Sequence, residues 1–347
     1  MEKQDILNTF SATEGKIAIV ALGNPDPDAI ASAFTLGKIL KSREREFGFL
    51  FENEINRPEN QLLVNYLGIN IEQLRLENLM DYDHVSLVDC NPNRIDLEAE
   101  EGLHAELHRK LLTVQDHHSM DEEEVKGLDP EGLYIDVRPE LGACATILSE
   151  VISDNDLAYE AETATALYYA LYSDTNAFLR GFKKYDFEQV VNYVERVDFE
   201  ALQDIIGTVM TSETFDLINR VTDEEHIEVR GTYKFANGGI LDGKSKSAIP
   251  QVADLLLREE GVEGIVIAGI DTEEKVIVGS VRYSGSRYSA EEIAEKIADG
   301  DGTGGGHVEM GGFQIQPGVV KDTLERPATQ DALMDSIKER FFKVVGK

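Results

Sequence analysis

This chain of 347 residues is poor in cysteine, poor in basic residues and without a long apolar run. Its two cysteines, Cys90 and Cys144, sit in unlike contexts with no metal-type spacing, which argues against a structural zinc site and against a disulfide framework. Both read as small buried residues. No apolar stretch approaches the roughly 20 residues that cross a bilayer. The opening Met1-Glu2-Lys3-Gln4-Asp5 lacks the basic and apolar regions of a signal peptide, so a cytoplasmic location with no membrane partner is expected.

The shortage of base is severe: 33 Lys and Arg face 66 Asp and Glu, a net charge of −33, where a small soluble domain usually carries a magnitude of about 2 to 8. The acids are spread along the length, as in Asp121-Glu122-Glu123-Glu124 and Asp223-Glu224-Glu225, so no acidic tail accounts for them. A halophilic cytoplasm, whose salt screens the self-repulsion, does. The same charge repels nucleic acid, which argues against duplex DNA as a ligand. Processive work on long single strands lacks the basic, aromatic-studded groove it needs.

What is present is a set of apolar runs that end in acids. Lys16–Leu22 reads as a buried strand running into Asn24-Pro25-Asp26-Pro27-Asp28 and a helix over Asp28–Leu40. Phe47–Phe51 is a second strand and Glu59–Leu67 a helix. His84–Val88 then delivers Asp89, and Leu111–Val114 delivers Asp116-His117-His118. Helices over Ala143–Ile152 and Glu160–Tyr172 follow, the second running into Ser173-Asp174-Thr175. This alternation predicts an α/β fold: an open, mainly parallel sheet with helices on both faces. Beyond it, Asp186–Thr222 reads as helical. Strands are expected at His226–Phe235, Gly264–Ile270 and Lys275–Tyr283, with a hairpin turn at Asp271-Thr272-Glu273-Glu274. Helices are expected at Pro250–Glu260, Ala290–Ala298 and Gln330–Val345. The layout implies a first domain over 1–195, a helical connector over 196–222 and a smaller mixed α+β domain over 223–347.

Each acidic segment also has a bland reading. Asp26 and Asp28 suit a turn and a helix cap, with Asp28 as the N-cap. Asp89 suits a strand-end turn, and His117-His118 a surface pair. Asp174 at a helix end is opposed by the macrodipole, which asks for a compensating cation. In combination, carboxylates and imidazole without cysteine suit a hard or borderline divalent ion such as Mn²⁺ or Mg²⁺.

The four segments, in this order, closely resemble the motifs of the DHH phosphoesterase superfamily, and Gly304-Gly305-Gly306-His307 resembles the GGGH signature of the DHH-associated domain. The resemblance covers nearly the whole chain. It implies two Mn²⁺ ions bridged by Asp89, one held by Asp28, Asp89, His117 and Asp174, the other by Asp26, Asp89 and a histidine four residues before Asp26. Leu22 stands at that last position, so the second ion must rely on Asn24, water or substrate. Asp116 and His118 would be the catalytic pair, Asp116 orienting a histidine and His118 touching the scissile phosphate. In the second domain, closing over the first, Arg282 would clamp phosphate, with Arg287 as a second candidate. Gly304, Gly305, Gly306 and His307 would hold the terminal phosphate or base. Tyr283 and Phe313 could stack on a base, but core packing is the better reading of them.

Length and layout are most similar to the nano-RNase and pAp phosphatases, which hydrolyse short single-stranded oligonucleotides and nucleotide phosphates. Alternatives are a cyclic-dinucleotide phosphodiesterase or a RecJ-like single-strand exonuclease, and, in another class, a nucleotide-binding regulatory protein. Manganese-dependent pyrophosphatases share the metal motifs but not GGGH. Family relatives are monomers or homodimers.

Overall fold

A computed structural model describes residues 6–23, 25–90, 102–120, 133–207, 210–306, 308–318, 324 and 326–346. The chain divides into two compact units, residues 1–208 and 209–347.

The first unit is built on a parallel sheet of six strands: β1 (Ile17–Ala21), β2 (Phe47–Phe51), β3 (Ile71–Gln73), β4 (His84–Val88), β5 (Leu111–Asp116) and β6 (Tyr134–Val137), in the order β3-β2-β1-β4-β5-β6. β1 is buried along its whole length, which is why it reads as a continuous apolar run rather than an alternating one. The chain winds outward from β1 through β2 to β3, then returns to place β4 on the other side of β1. The strand order therefore reverses between β1 and β4, and their carboxyl ends open the crevice where α/β sheets bind ligands.

One face of this sheet carries α2 (Pro27–Ser42), α3 (Pro58–Leu67), α6 (Cys144–Asp154) and α7 (Ala161–Asp174), whose apolar residues share one large core with α1 (Ile6–Ala12). The other carries α4 (Leu76–Leu79) and α5 (Leu103–Lys110) over a smaller cluster. Helix α2 starts on Pro27, whose missing N–H costs nothing there. Its N-cap is Asp26, which accepts from Ala29 N at 3.0 Å, and not Asp28. Asp28 is thereby released from capping its own helix. Further along come α8 (Lys184–Tyr193) and α9 (Phe199–Ile206), and α9 packs on α3 and α7.

The second unit holds a mixed sheet, in the order β11-β12-β10-β9-β8-β7. Its strands are β7 (Ile227–Arg230), β8 (Tyr233–Leu241), β9 (Gly264–Asp271), β10 (Val276–Tyr283), β11 (Gly302–Gly306) and β12 (Met310–Ile315), all antiparallel to their neighbours except β8 and β9. The single strand expected over His226–Phe235 is a hairpin, because Gly231, at φ +67°, turns the chain between β7 and β8. Helix α10 (Ser212–Val221) packs with α11 (Gly243–Leu256) on one face, and α12 (Ala290–Ala298) with α13 (Pro327–Val344) on the other. α11 begins well before Pro250, since Asp242 caps it by accepting from Ser245 N at 2.8 Å. The glycine run Gly302–Gly306, which in isolation suits a flexible turn, is strand β11 and pairs with β12.

Candidate metal centre

Three strand ends and one helix end meet at the switch point. Asp89, directly after β4, adopts the left-handed conformation at φ +55°, uncommon for a residue with a side chain. Its amide donates to Gln115 O at 2.8 Å, which ties it to β5. Its Oδ1 is buried and accepts no hydrogen bond from the described residues. Asp28, fully buried in the first turn of α2, reaches across to the start of α6: Oδ2 accepts from Cys144 N at 2.6 Å and Oδ1 from Ala145 N at 2.9 Å. α6 has no side-chain cap of its own, so Asp28 supplies one from a distant helix.

His117 Nε2 lies 3.1 Å from Asp174 Oδ2, 3.5 Å from Asp89 Oδ1 and 3.7 Å from Asp28 Oδ2. Its other nitrogen, Nδ1, is 3.3 Å from the Leu141 carbonyl. A carbonyl can only accept, so Nδ1 carries a proton and Nε2 is the nitrogen that a metal would use. His118 is turned differently: Asp116 Oδ1 accepts both from its Nδ1 at 2.7 Å and from its backbone N at 3.0 Å. Asp116 itself is fully buried.

The electrostatics are those of a site built for a cation. Burial and the neighbouring Asp174 raise Asp28 to about 7. Asp89 is pushed well above the ordinary carboxylate value by burial, then by Asp28, Asp26, Asp174 and Asp116. Asp26 is raised by burial and Asp174, with Ala29 N, Arg57 and His118 opposing. His117 moves the other way for an imidazole: burial disfavours its charge, but Asp174 and Asp28 overcome this and raise it to about 10. Buried carboxylates that repel each other are costly unless a cation joins them. The orphaned Asp89 Oδ1 and a donor set of carboxylates with imidazole fit a divalent ion of the Mn²⁺ or Mg²⁺ type.

Among the described residues, two groups could each hold an ion: Asp28, His117 and Asp174, and Asp89, His117 and His118. Asp26 stands outside both. Leu22 is half-buried and packs into the apolar cluster that contains Cys90 and Val20. Its loop is held by side chains the sequence did not single out: Glu52 Oε2 accepts from Gly23 N at 2.6 Å, Asn53 Nδ2 donates to Gly23 O at 3.0 Å, and buried Asn60 donates to Pro25 O at 2.9 Å. Cys90 and Cys144 are buried free thiols. Asn24 lies outside the described residues, as does His307.

In the second unit, Arg282 is buried in β10. Its Nε donates to Asp254 Oδ1 at 2.7 Å, and its Nη1 to Ser280 Oγ at 2.7 Å and Val281 O at 3.0 Å. That guanidinium is held by residues of its own unit. Tyr283 and Phe313 are core residues. Two of the three glycines are demanded by packing. A Cβ on Gly304 would fall 2.5 Å from Ala294 O of α12, and one on Gly306, at φ +145°, would meet the Met310 backbone. A Cβ on Gly305 would meet nothing within 4 Å among the described residues.

The fold and the cluster define a class: a two-unit α/β protein with a carboxylate–histidine centre at the switch point of its parallel sheet. Residues 16–171 match the DHH family N-terminal domain and residues 232–329 the DHHA1 domain, and the chain belongs to the DHH family. It is 29% identical over 326 residues to an uncharacterized protein of Methanocaldococcus jannaschii, an alignment covering 93% of this chain and 63% of that protein. A probable manganese-dependent inorganic pyrophosphatase of Oceanobacillus iheyensis is 28% identical over 160 residues, covering 46% of this chain and 48% of that protein. The chain thus spans less than two thirds of the length of these curated relatives. Among solved structures, an exopolyphosphatase-related protein from Bacteroides fragilis superposes with a TM-score of 0.72 at 15% identity, covering 98% of this chain and 96% of the other. That likeness shows the shared fold.

Proposed function

We propose that this protein is a divalent-metal-dependent phosphoester hydrolase, with Mn²⁺ as the favoured metal, acting on short oligonucleotides or nucleotide phosphates. The observation that carries the reading is the convergence of Asp28, Asp89 and Asp174 on His117 Nε2, with Asp89 Oδ1 accepting no hydrogen bond among the described residues. An ion held by these four residues would lower the pKa of water and neutralise charge on the phosphoryl oxygens. The protein's own part is to keep the donors fixed. Asp28 is locked by two α6 amides, and Nδ1 of His117 is committed to Leu141 O. His118, held through Nδ1 by Asp116, would in its doubly protonated form donate from Nε2 to a phosphate oxygen or the departing sugar oxygen. A Cβ on Gly305 would meet no described atom within 4 Å, so the open side of this strand leaves room for a ligand to approach the backbone.

Short substrates are favoured because a net charge of −33 disfavours long polyanions except where a local cation holds them. The similarity to a pyrophosphatase in the first half motivates pyrophosphate as a competing substrate, while the DHHA1 domain favours a nucleotide. The test is a panel of pAp, dinucleotides, cyclic di-AMP, 5′-labelled single-stranded DNA and pyrophosphate, with Mn²⁺ at molar salt. Turnover of pAp or dinucleotides that disappears in Asp89→Asn supports the reading. Turnover of pyrophosphate alone would replace it, and no turnover of any substrate would leave a nucleotide-binding protein.

A further inference from the structure

Asp186 lies outside every motif in the sequence, in the first turn of α8, and is fully buried. Both of its carboxylate oxygens stand 3.1 Å from Gly142 N. Oδ1 also accepts from Thr146 Oγ1 at 2.8 Å, and Oδ2 from Lys183 N at 2.8 Å. The Gly142 N–H and the Leu141 C=O belong to one planar peptide unit, and that carbonyl is the partner of His117 Nδ1 at 3.3 Å. The two contacts are therefore coupled. A carboxylate pulling on the N–H polarises the peptide and makes its carbonyl a stronger acceptor. A stronger acceptor on Nδ1–H makes Nε2 the better donor to a metal.

The close approach is specific to this position. A Cβ on Gly142 would fall 2.8 Å from Asp186 Oδ2, 3.0 Å from Thr175 Cγ2 and 3.1 Å from Leu171 Cδ1. The same short segment continues into Cys144 N and Ala145 N, which hold Asp28. Two of the four candidate ligands thus hang on a stretch of backbone that Asp186 anchors.

We propose that Asp186 is a positioning residue of the centre. Its carboxylate acts through the Leu141–Gly142 peptide on His117, fixing the tautomer and orientation of the ring and strengthening Nε2 as a metal donor. The inference rests on the reading of His117 as a ligand.

Three variants of the full chain test it: Asp186→Asn, Gly142→Ala, which displaces the carboxylate from the peptide while keeping Asp186, and Thr146→Val, which removes a different donor and leaves the Gly142 contact. The first readout needs no metal: the ¹⁵N-edited signal of the His117 Nδ1–H proton. The second is Mn²⁺ affinity by electron paramagnetic resonance. Asp186→Asn and Gly142→Ala should each weaken the Nδ1–H hydrogen bond, moving the signal upfield, and lower Mn²⁺ affinity by about tenfold, the near end of what outer partners of metal ligands contribute. Thr146→Val should change neither. An unmoved His117 signal in both Asp186→Asn and Gly142→Ala overturns the relay, as does a Thr146→Val shift of equal size. Failure of the unsubstituted chain to bind Mn²⁺, or equal binding by His117→Ala, would sink the metal-centre reading instead, and the metal-free signal would still decide the relay.

Discussion

His117 Nε2 stands 3.1 Å from Asp174 Oδ2, joining the residue just past the end of β5 to the last residue of α7. The pair explains why an acid ends a helix whose macrodipole disfavours it there. It also places Asp174 among donors supplied by strand ends. Asp174→Ala should therefore act as a ligand loss and not as a surface change. Outer partners of metal ligands alone contribute about 10- to 100-fold. Removal of Asp174 should exceed that in Mn²⁺ affinity and activity, with helical circular dichroism retained. Calorimetric titration of the variant with Mn²⁺ checks it.

Asp116→Asn probes the proposed catalytic pair, Asp116 and His118, without touching the four converging donors. Asp116 Oδ1 accepts from both Nδ1 and the backbone N of His118, so the substitution leaves the ring in place but weakens its hold and tautomer. A fall in kcat of about 10- to 100-fold is expected, with KM and Mn²⁺ affinity near those of the unsubstituted protein. A large loss of metal affinity would instead put His118 among the ligands, as its position near Asp89 and His117 allows.

The metal-free protein should lose stability as pH rises, and the loaded protein should not. Asp28 is raised by burial and Asp174 from 3.8 to about 7, so between these values the folded state holds more protons than the unfolded one and stability falls with pH. His117 is raised from 6.5 to about 10, so its contribution is complete below 6.5 and is lost as pH climbs toward 10. Both slopes have the same sign. Mn²⁺ bound at this centre would take the place of those protons, and at a concentration a hundredfold above Kd it should add about 2.7 kcal/mol. The rise in Tm on adding Mn²⁺ should be larger at pH 8 than at pH 5 in molar salt. A gap independent of pH would mean that the ion binds elsewhere.

Much of this centre was legible because buried parallel strands read as apolar runs and their ends are where ligands collect. Lys16–Leu22, His84–Val88 and Leu111–Val114 each point to the acid that follows. Other parts left no pattern. Asp186, Leu141 and Gly142 act through backbone groups, which any residue possesses, so their identities signal nothing. The strand β11 was invisible because a glycine run has no side chains to alternate. Pro250 reads as a helix start because proline fits the first turn, yet Asp242 and the buried Ala248, Ile249, Val252 and Ala253 carry α11 through it. The hairpin of β7 and β8 was read as one strand because apolar and β-branched residues continue on both sides of Gly231.

The glycines of β11 separate packing from ligand access. At Gly304 the obstacle is the α12 backbone, which cannot step aside, so Gly304→Ala should destabilise the protein by about 1 to 3 kcal/mol. Gly305→Ala meets nothing within 4 Å and should leave denaturant unfolding unchanged within about 0.5 kcal/mol. Its KM for a dinucleotide should nevertheless rise. An unchanged KM would remove this strand from the substrate path.

Arg282 offers the sharpest contrast between a strut and a clamp. Its ion pair with Asp254 at 2.7 Å is shielded on the arginine side and partly open on the aspartate side. Breaking it should cost about 1 to 3 kcal/mol, below the roughly 3 to 5 of a fully buried pair. A strut loses its function from either end. Asp254→Ala should then lower Tm about as much as Arg282→Ala, the double variant should lose little more than either alone, and KM should stay level in all three. A clamp behaves otherwise: Arg282→Ala would raise KM sharply, whereas Asp254→Ala would free the guanidinium and leave KM unchanged or lower. Unfolding curves and KM for the three variants, measured at one salt concentration, decide between the two roles.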